Sequence, residues 1–367
     1  MAFVCGPEIS SYATIADFLV EFALGEGDLI LSNRYIFDTT KYPVPDAQTI
    51  WQEDYGTGEP DEKMVAAIMG DMKPCKRIIG IGGGTVMDIA KLMALDVSGE
   101  DIYAMYTGII PPVRKRELVL IPTTTGTGSE VTNVSVVAFP GRGVKLGLAN
   151  AALYANKAIL VPEFLKTLPY RPFIYASIDA LVHAVEAFLS PMRDDFSLLF
   201  SRSAIHLLLE GFEKISQKGH DARFEMLNSF QSASCQAGIA FGNAGCGMVH
   251  AMSYAVGATF HIAHGEVNYA LFAAVMGYYD EYCDALAVIE LKRMLAEQLL
   301  CSENEAFVAL DRLLNQMIPC KTLHEYGMTQ QHIPVFCESV LEQQRLLKNS
   351  PMPMNAEKLA RIFERAF

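Results

Sequence analysis

IIGIGGGTVMDIAK, from Ile78 to Lys91, is the stretch whose reading decides the fold. Its first half is a short isoleucine-rich run that reads as a strand ending near Ile81. Its second half sets Val86, Ile89 and Ala90 at helical intervals. Between them stand three consecutive glycines, Gly82, Gly83 and Gly84. A strand that turns through glycine into a helix is a unit of a parallel sheet, and the free amides at the helix start favour an anion that bare backbone can approach closely. The spacing differs from the G-x-G-x-x-G of the ordinary dinucleotide fold, so the triplet alone can also be a simple tight turn. A second loop, PTTTGTGSE from Pro122 to Glu130, follows the next apolar strand at the same sheet edge. There Thr123, Thr124, Thr127 and Ser129 offer hydroxyls, at the carboxyl ends of parallel strands where α/β proteins bind ligands. Two such loops favour nucleotide binding.

Working outward, DLILSNRYIF, AQTIW, KRIIGIGG, ELVLIP, VSVVAF and KAILVP read as strands of this parallel sheet, with DEKMVAAIMGDM and TVMDIAKLMAL as helices between them. Pro162, Pro169 and Pro172 then interrupt the pattern, which places a boundary near residues 163 to 171, and from Phe173 onward the chain reads as successive helices. The expectation is an α/β, Rossmann-like dinucleotide-binding domain over residues 1–165, followed by an all-α metal- and substrate-binding domain over 166–367.

The second half carries Asp179 and His183 four residues apart in FIYASIDALVHAVEAFLS, so both leave one face of one helix. His250 and His264 bracket a segment long enough for a helix, a turn and a return to the same point. Three imidazoles and one carboxylate suit Fe(II) or Zn(II) and leave a position for a substrate oxygen. Metal plus nucleotide points to metal-assisted redox chemistry. Glu186, on the same helical face, can stand behind a metal ligand but reads first as a helix-stabilising surface carboxylate, and Lys91 as a residue that packs or pairs on its own helix.

A formal net charge of -13 excludes nucleic acid or an anionic membrane as the main partner, since both need a positive footprint. Apolar stretches such as YALFAAVMGYY fall short of the roughly 18 to 20 residues that a membrane span requires. The amino terminus lacks the features of a signal peptide, so a cytoplasmic protein is expected. Eight scattered cysteines, none in a C-x-x-C pair, read as reduced core thiols.

GGGTVMDIAK, PTTTGTGSEVT, DALVH and HAMSYAVGATFHIAH, in this order and across nearly the whole chain, resemble the marks of the iron-containing alcohol dehydrogenase family. The resemblance implies Asp179, His183, His250 and His264 as ligands of Fe(II) or Zn(II). It implies that Gly83, Gly84, Thr85 and Asp88 contact or shape the pyrophosphate site of a bound dinucleotide, with Thr124 and Thr127 along it. The partners it implies are a small aldehyde or alcohol and a second copy of the chain in a homodimer. YGTGEP, GTGSEVTNVSVV, the GNAGCG-to-HGE stretch and QQRLLKNS are most similar to members that act on a short hydroxy carboxylate and its semialdehyde. Arg345 and Lys348 are then candidates for the substrate carboxylate, or else a solvated surface pair.

Two departures from the family pattern bear on mechanism. Tyr254 stands where many members carry a histidine near the nicotinamide, which leaves Tyr254, His261 or water to carry the proton. Asn33 stands where many carry an acid that repels the 2′-phosphate of NADP, a repulsion that Asn33 beside Arg34 does not supply; NAD is still the expected cofactor, with NADP open. A related sugar-phosphate lyase chemistry is disfavoured by the scarcity of lysine and arginine around the metal residues.

Overall fold

The computed structural model describes residues 2–44 and 46–367. It divides into two compact units, one of residues 5–168 and one of residues 169–367 with residues 1–4.

The first unit is built on a six-stranded sheet. Its strands in chain order are β1 (Glu8–Ser11), β2 (Asp28–Ser32), β3 (Gln48–Trp51), β4 (Arg77–Gly82), β5 (Glu117–Pro122) and, after a hairpin, β8 (Lys157–Leu160). Their order across the sheet is β1-β8-β5-β4-β2-β3, and every pairing is parallel. Helices α1 (Ile15–Phe22), α2 (Glu62–Gly70), α3 (Gly84–Met93) and α4 (Ile102–Tyr106) connect and cover it. Parallel order needs crossovers, and the apolar runs of β2, β4 and β5 are buried on both faces as a consequence. Ile79, Ile81, Val119 and Ile121 pack on one face, Ile78, Leu118 and Leu120 on the other. Each such side chain contributes roughly 1.5–3 kcal/mol by leaving water.

Three sequence expectations for this unit are corrected. VSVVAF is a strand, β6 (Val134–Phe139), but it pairs antiparallel with β7 (Val144–Ala149), a strand the sequence reading missed, and stands outside the parallel sheet. The glycine and arginine of the intervening PGRG turn close a hairpin, which a parallel strand cannot use. β1 was also missed, because EISS lacks an apolar run. The strand begun at Asp28 ends at Ser32, since the Asn33 carbonyl accepts from the amides of Ile36 and Phe37 and turns the chain.

Among its described residues after Pro169 the second unit consists of helices joined by loops, with no strand. It comprises α5 (Tyr170–Leu189), α6 (Asp195–Lys218), α7 (Leu227–Ala244), α8 (Met248–Phe260), α9 (His264–Tyr282), α10 (Leu286–Leu299), α11 (Ala306–Met317), α12 (His332–Glu342), α13 (Gln344–Leu347) and α14 (Ala356–Ala366). α5 is long and apolar enough by length and composition to cross a membrane, yet it is a core helix, 89% buried within the protein, and packs against α6, α7 and α9. Its start follows from Pro169 and its exit from Ser190, whose hydroxyl donates to the Ala244 carbonyl. All eight cysteines are free thiols; Cys235 and Cys337 are buried, Cys5 is exposed and the other five are half-buried, so the expectation of core thiols holds best for the first two.

Candidate metal centre

Asp179 and His183 lie one turn apart on α5, 3% and 5% exposed. His250 sits in the first turn of α8 and His264 opens α9, so a helix-length excursion returns the chain to the same point. The four side chains present donor atoms that all lie within 4.8 Å of one another. His250 Nε2 and His264 Nε2 are each 3.7 Å from Asp179 Oδ1, and His183 Nδ1 is 3.9 Å from Asp179 Oδ2. Donors about 2.0–2.2 Å from a common cation stand roughly 3–3.5 Å apart, so a small contraction satisfies Fe(II) or Zn(II). Asn268 Nδ2, fully buried, lies 2.7 Å from Asp179 Oδ1 and 3.2 Å from both His250 Nε2 and His264 Nε2. An amide nitrogen has two hydrogens for these three acceptors, which leaves electron density at the centre that a cation can take up. The sequence reading missed Asn268; its position four residues after His264, one helical turn on, was the available signal.

Close packing of α5 on α9 holds the donors together. A Cβ on Gly265 would lie 2.5 Å from the Tyr175 carbonyl oxygen and 3.4 Å from Asp179 Cβ, so no side chain fits beside His264. Burial works against charge on both Asp179 and His250, and local partners outweigh it. The imidazoles of His183, His264 and His250 hold the Asp179 carboxyl below its ordinary range, and the carboxylates of Glu186 and Asp179 raise His250.

Glu186 corrects the sequence reading of a surface carboxylate. It is 4% exposed, and its Oε2 stands 2.7 Å from His250 Nδ1 and accepts from the Gly247 amide, while Oε1 accepts from the Val249 amide. Those amides belong to the start of α8, where a helix favours negative charge. With Nδ1 donating to Glu186, His250 turns the lone pair of Nε2 toward Asp179 and His264. Cys246 is close enough to Glu186 and His250 to form a second group, but desolvation of its thiol, with the nearby carboxylates of Glu186 and Asp179, raises it well above the ordinary cysteine value and makes it a poor ligand.

The other residues singled out in this half separate into near and far. The Tyr254 ring centroid is 6.3 Å from that of His264, and burial raises its phenol well above the ordinary tyrosine value, which makes it a hydrogen-bond donor at neutral pH. Arg345 on α13 is close enough to Tyr254 and Cys246 for its charge to act on both. His261 caps the end of α8 in a left-handed conformation, φ 53°, exposed and outside the four-donor cluster. Lys348 is exposed at the end of α13.

In the α/β unit, the glycine turn and the PTTTGTGSE loop adjoin. A Cβ on Gly83 would meet Thr124 Cγ2 at 3.2 Å and one on Gly84 would meet Thr127 Cγ2 at 3.0 Å. Bare backbone at the start of α3 beside two threonines suits a pyrophosphate. Thr85 Oγ1 donates to the Gly58 carbonyl, and Asp88 accepts from Ser129 Oγ and the Val136 amide, so Asp88 shapes the loop. Lys91, expected to pack or pair on its own helix, is fully buried and does more. Its Nζ donates to Ser129 Oγ, Thr132 Oγ1 and the Val134 carbonyl, and lies 3.6 Å from Asp88. Glu130, also buried, receives no hydrogen bond from another residue at either carboxylate oxygen, and burial pushes its carboxyl up to about 7.

Residues 31–162 match the family described as iron-containing alcohol dehydrogenase, and residues 173–367 match its C-terminal domain, described as Fe-containing alcohol dehydrogenase family, C-terminal. Over 365 residues, 98% of each chain, the sequence is 41% identical to 4-hydroxybutyrate dehydrogenase of Clostridium kluyveri. It is 35% identical to long-chain-alcohol dehydrogenase 1 of Geobacillus thermodenitrificans over 79% of this chain and 74% of that one. Among solved structures, sulfoacetaldehyde reductase from Bifidobacterium kashiwanohense, in complex with NAD+, superposes with a TM-score of 0.86 at 20% identity, covering 100% of this chain and 98% of that one, a likeness of fold.

Proposed function

The chain belongs to the iron-containing alcohol dehydrogenase family, and from that membership we propose that it interconverts 4-hydroxybutyrate and succinate semialdehyde with NAD(H). The observation that carries this reading is the four-donor cluster of Asp179, His183, His250 and His264. Identity of 41% over 98% of both chains with the Clostridium kluyveri enzyme supports the choice of substrate.

When bound, a divalent cation on these donors supplies Lewis acidity toward a carbonyl, and the nicotinamide supplies the hydride. The protein's own residues do the rest. Glu186 holds His250 in the tautomer that presents Nε2, and burial of Asp179, His183 and His250 keeps water from competing for their lone pairs. Tyr254, a neutral phenol, donates a hydrogen bond to oxygen as charge develops there; His261 or water passes the proton onward. Arg345 offers a charge-assisted pair to the far carboxylate, and Lys348 a second cation at the rim. Gly83, Gly84, Thr85, Asp88, Thr124 and Thr127 form the pyrophosphate cradle. The homodimer and the cytoplasmic location expected of the family go with this reading.

The test follows NADH absorbance with succinate semialdehyde, using protein prepared anaerobically with Fe(II) or Zn(II), beside uncharged aldehydes of similar length. Metal-dependent oxidation that prefers the carboxylated substrate is expected, and His264→Ala should lose both the metal and, by roughly a thousandfold, the rate. Arg345→Ala should raise KM for succinate semialdehyde about tenfold or more and leave butanal unaffected. Preference for uncharged aldehydes would defeat the substrate assignment while leaving the family intact.

A further inference from the structure

The strand ends beside the glycine turn carry a charge arrangement that the sequence alone does not reveal. Ser32, the last residue of β2, donates from Oγ to the Ile81 carbonyl at 2.8 Å, which fixes the end of β2 against the end of β4 where the glycine turn begins. The next residue, Asn33, is 3% exposed. Its Nδ2 donates to Glu53 Oε2 at 2.8 Å and to Gln52 Oε1 at 3.0 Å, and the Arg34 amide donates to Glu53 Oε1 at 2.8 Å. Glu53 follows β3, the neighbour of β2, so a carboxylate from one strand end is bound onto the neutral amide at the next. Its side chain remains 25% exposed, and two of its four lone-pair positions stay open for another donor.

Arg34 is already engaged. Its guanidinium makes a two-pronged pair with Asp54 at 2.6 Å on both contacts, lies 3.7 Å from Glu53, and sits 5.3 Å over the Trp51 ring. One cation thus faces two carboxylates, and the local balance is one negative charge. In a parallel dinucleotide fold the residue at this position, beside the glycine turn, meets the adenosine ribose: a carboxylate accepts from its 2′-hydroxyl, and a free arginine accommodates a 2′-phosphate.

Resting on the oxidoreductase reading above, we infer that Glu53, held by Asn33, is the residue that selects NAD over NADP, with Asp54 withholding Arg34 from a 2′-phosphate. The charge lost at Asn33 is supplied from the adjacent strand, so an amide at that position does not relax the selection. A dianionic phosphate placed a few ångströms from an uncompensated carboxylate is disfavoured by about a hundredfold in affinity.

The experiment measures binding of NADH and NADPH to the full chain by titration calorimetry, with no substrate present. The wild-type chain should bind NADH about a hundredfold more tightly than NADPH. Glu53→Gln should narrow that gap to about tenfold or less, chiefly by a gain for NADPH. Moving the charge with the double substitution Asn33→Asp, Glu53→Gln should restore the discrimination, which a purely structural role for Glu53 would not allow. Equal wild-type affinities, or an unchanged ratio in Glu53→Gln with a native melting profile, would overturn the inference and leave the family reading intact. Binding of neither dinucleotide would overturn both.

Discussion

Each unit buries carboxylates beside nitrogen bases, and the two clusters are built in opposite ways. In the α/β unit, Lys91 has each of its ammonium hydrogens directed at an oxygen, from Ser129, Thr132 or Val134, and Asp88 accepts from Ser129 and the Val136 amide. In the helical unit, Asp179, His183, His250 and His264 aim acceptors at one another, with one amide nitrogen from Asn268 among them. A network that satisfies itself holds two loops in place and needs no ligand. Acceptors that converge are stable only because surrounding packing holds them, and they gain when a cation arrives.

The contrast breaks most sharply under truncation. Lys91→Ala leaves Asp88, 15% exposed, without its cation and the oxygens of Ser129, Thr132 and Val134 without their buried donor, and should destabilise the chain by about 3–5 kcal/mol. His264→Ala, in a side chain 30% exposed, should move unfolding of the cation-free chain by less than about 1 kcal/mol. Chemical denaturation of both variants in chelator decides it, and comparable losses would erase the distinction.

Next in size is the pH response of Glu130, whose carboxyl is raised by burial from 4.5 to about 7. Below pH 4.5 both folded and unfolded chains hold this proton. Between 4.5 and 7 the unfolded chain releases it while the folded chain keeps it, so the contribution to stability falls as pH rises. Above 7 the loss is complete, on the order of 3 kcal/mol. Glu130→Gln should therefore be more stable than wild type at pH 8 and indistinguishable at pH 4, as read from denaturant midpoints.

The smallest effect sharpens the helical side. Glu186→Gln keeps the size of the side chain but turns one of its two accepting oxygens into a donor and removes the charge behind His250, and should weaken retention of Fe(II) or Zn(II) by about 10–100-fold. Competition with a chromogenic chelator reads this directly.

What the sequence disclosed follows the range of each interaction. The parallel sheet was legible because β4 and β5 are continuous apolar runs followed by glycine loops, and the helical half because its apolar residues recur with one period. Spacing alone placed Asp179 and His183 on one face of α5, and the fold gathers them with His250 and His264. Glu186 was misread because a carboxylate on a helix looks the same whether it faces water or the start of another helix 64 residues later. The Glu53 contact with Asn33 was invisible for a similar reason: strand adjacency, not sequence distance, brings them together. β6 was misassigned because an alternating strand carries no mark of whether its partner runs parallel or antiparallel.

The bond between Glu186 and His250 has a further consequence for how the molecule assembles in time. It closes a loop of 64 residues containing the whole of α6 and α7, and α5 packs extensively on both. Closing so long a loop costs entropy that local helix contacts must first offset, so the donor cluster forms after those helices dock. The centre is thus a late product of folding rather than its nucleus. A cation captured there slows unfolding and leaves the rate of folding nearly untouched.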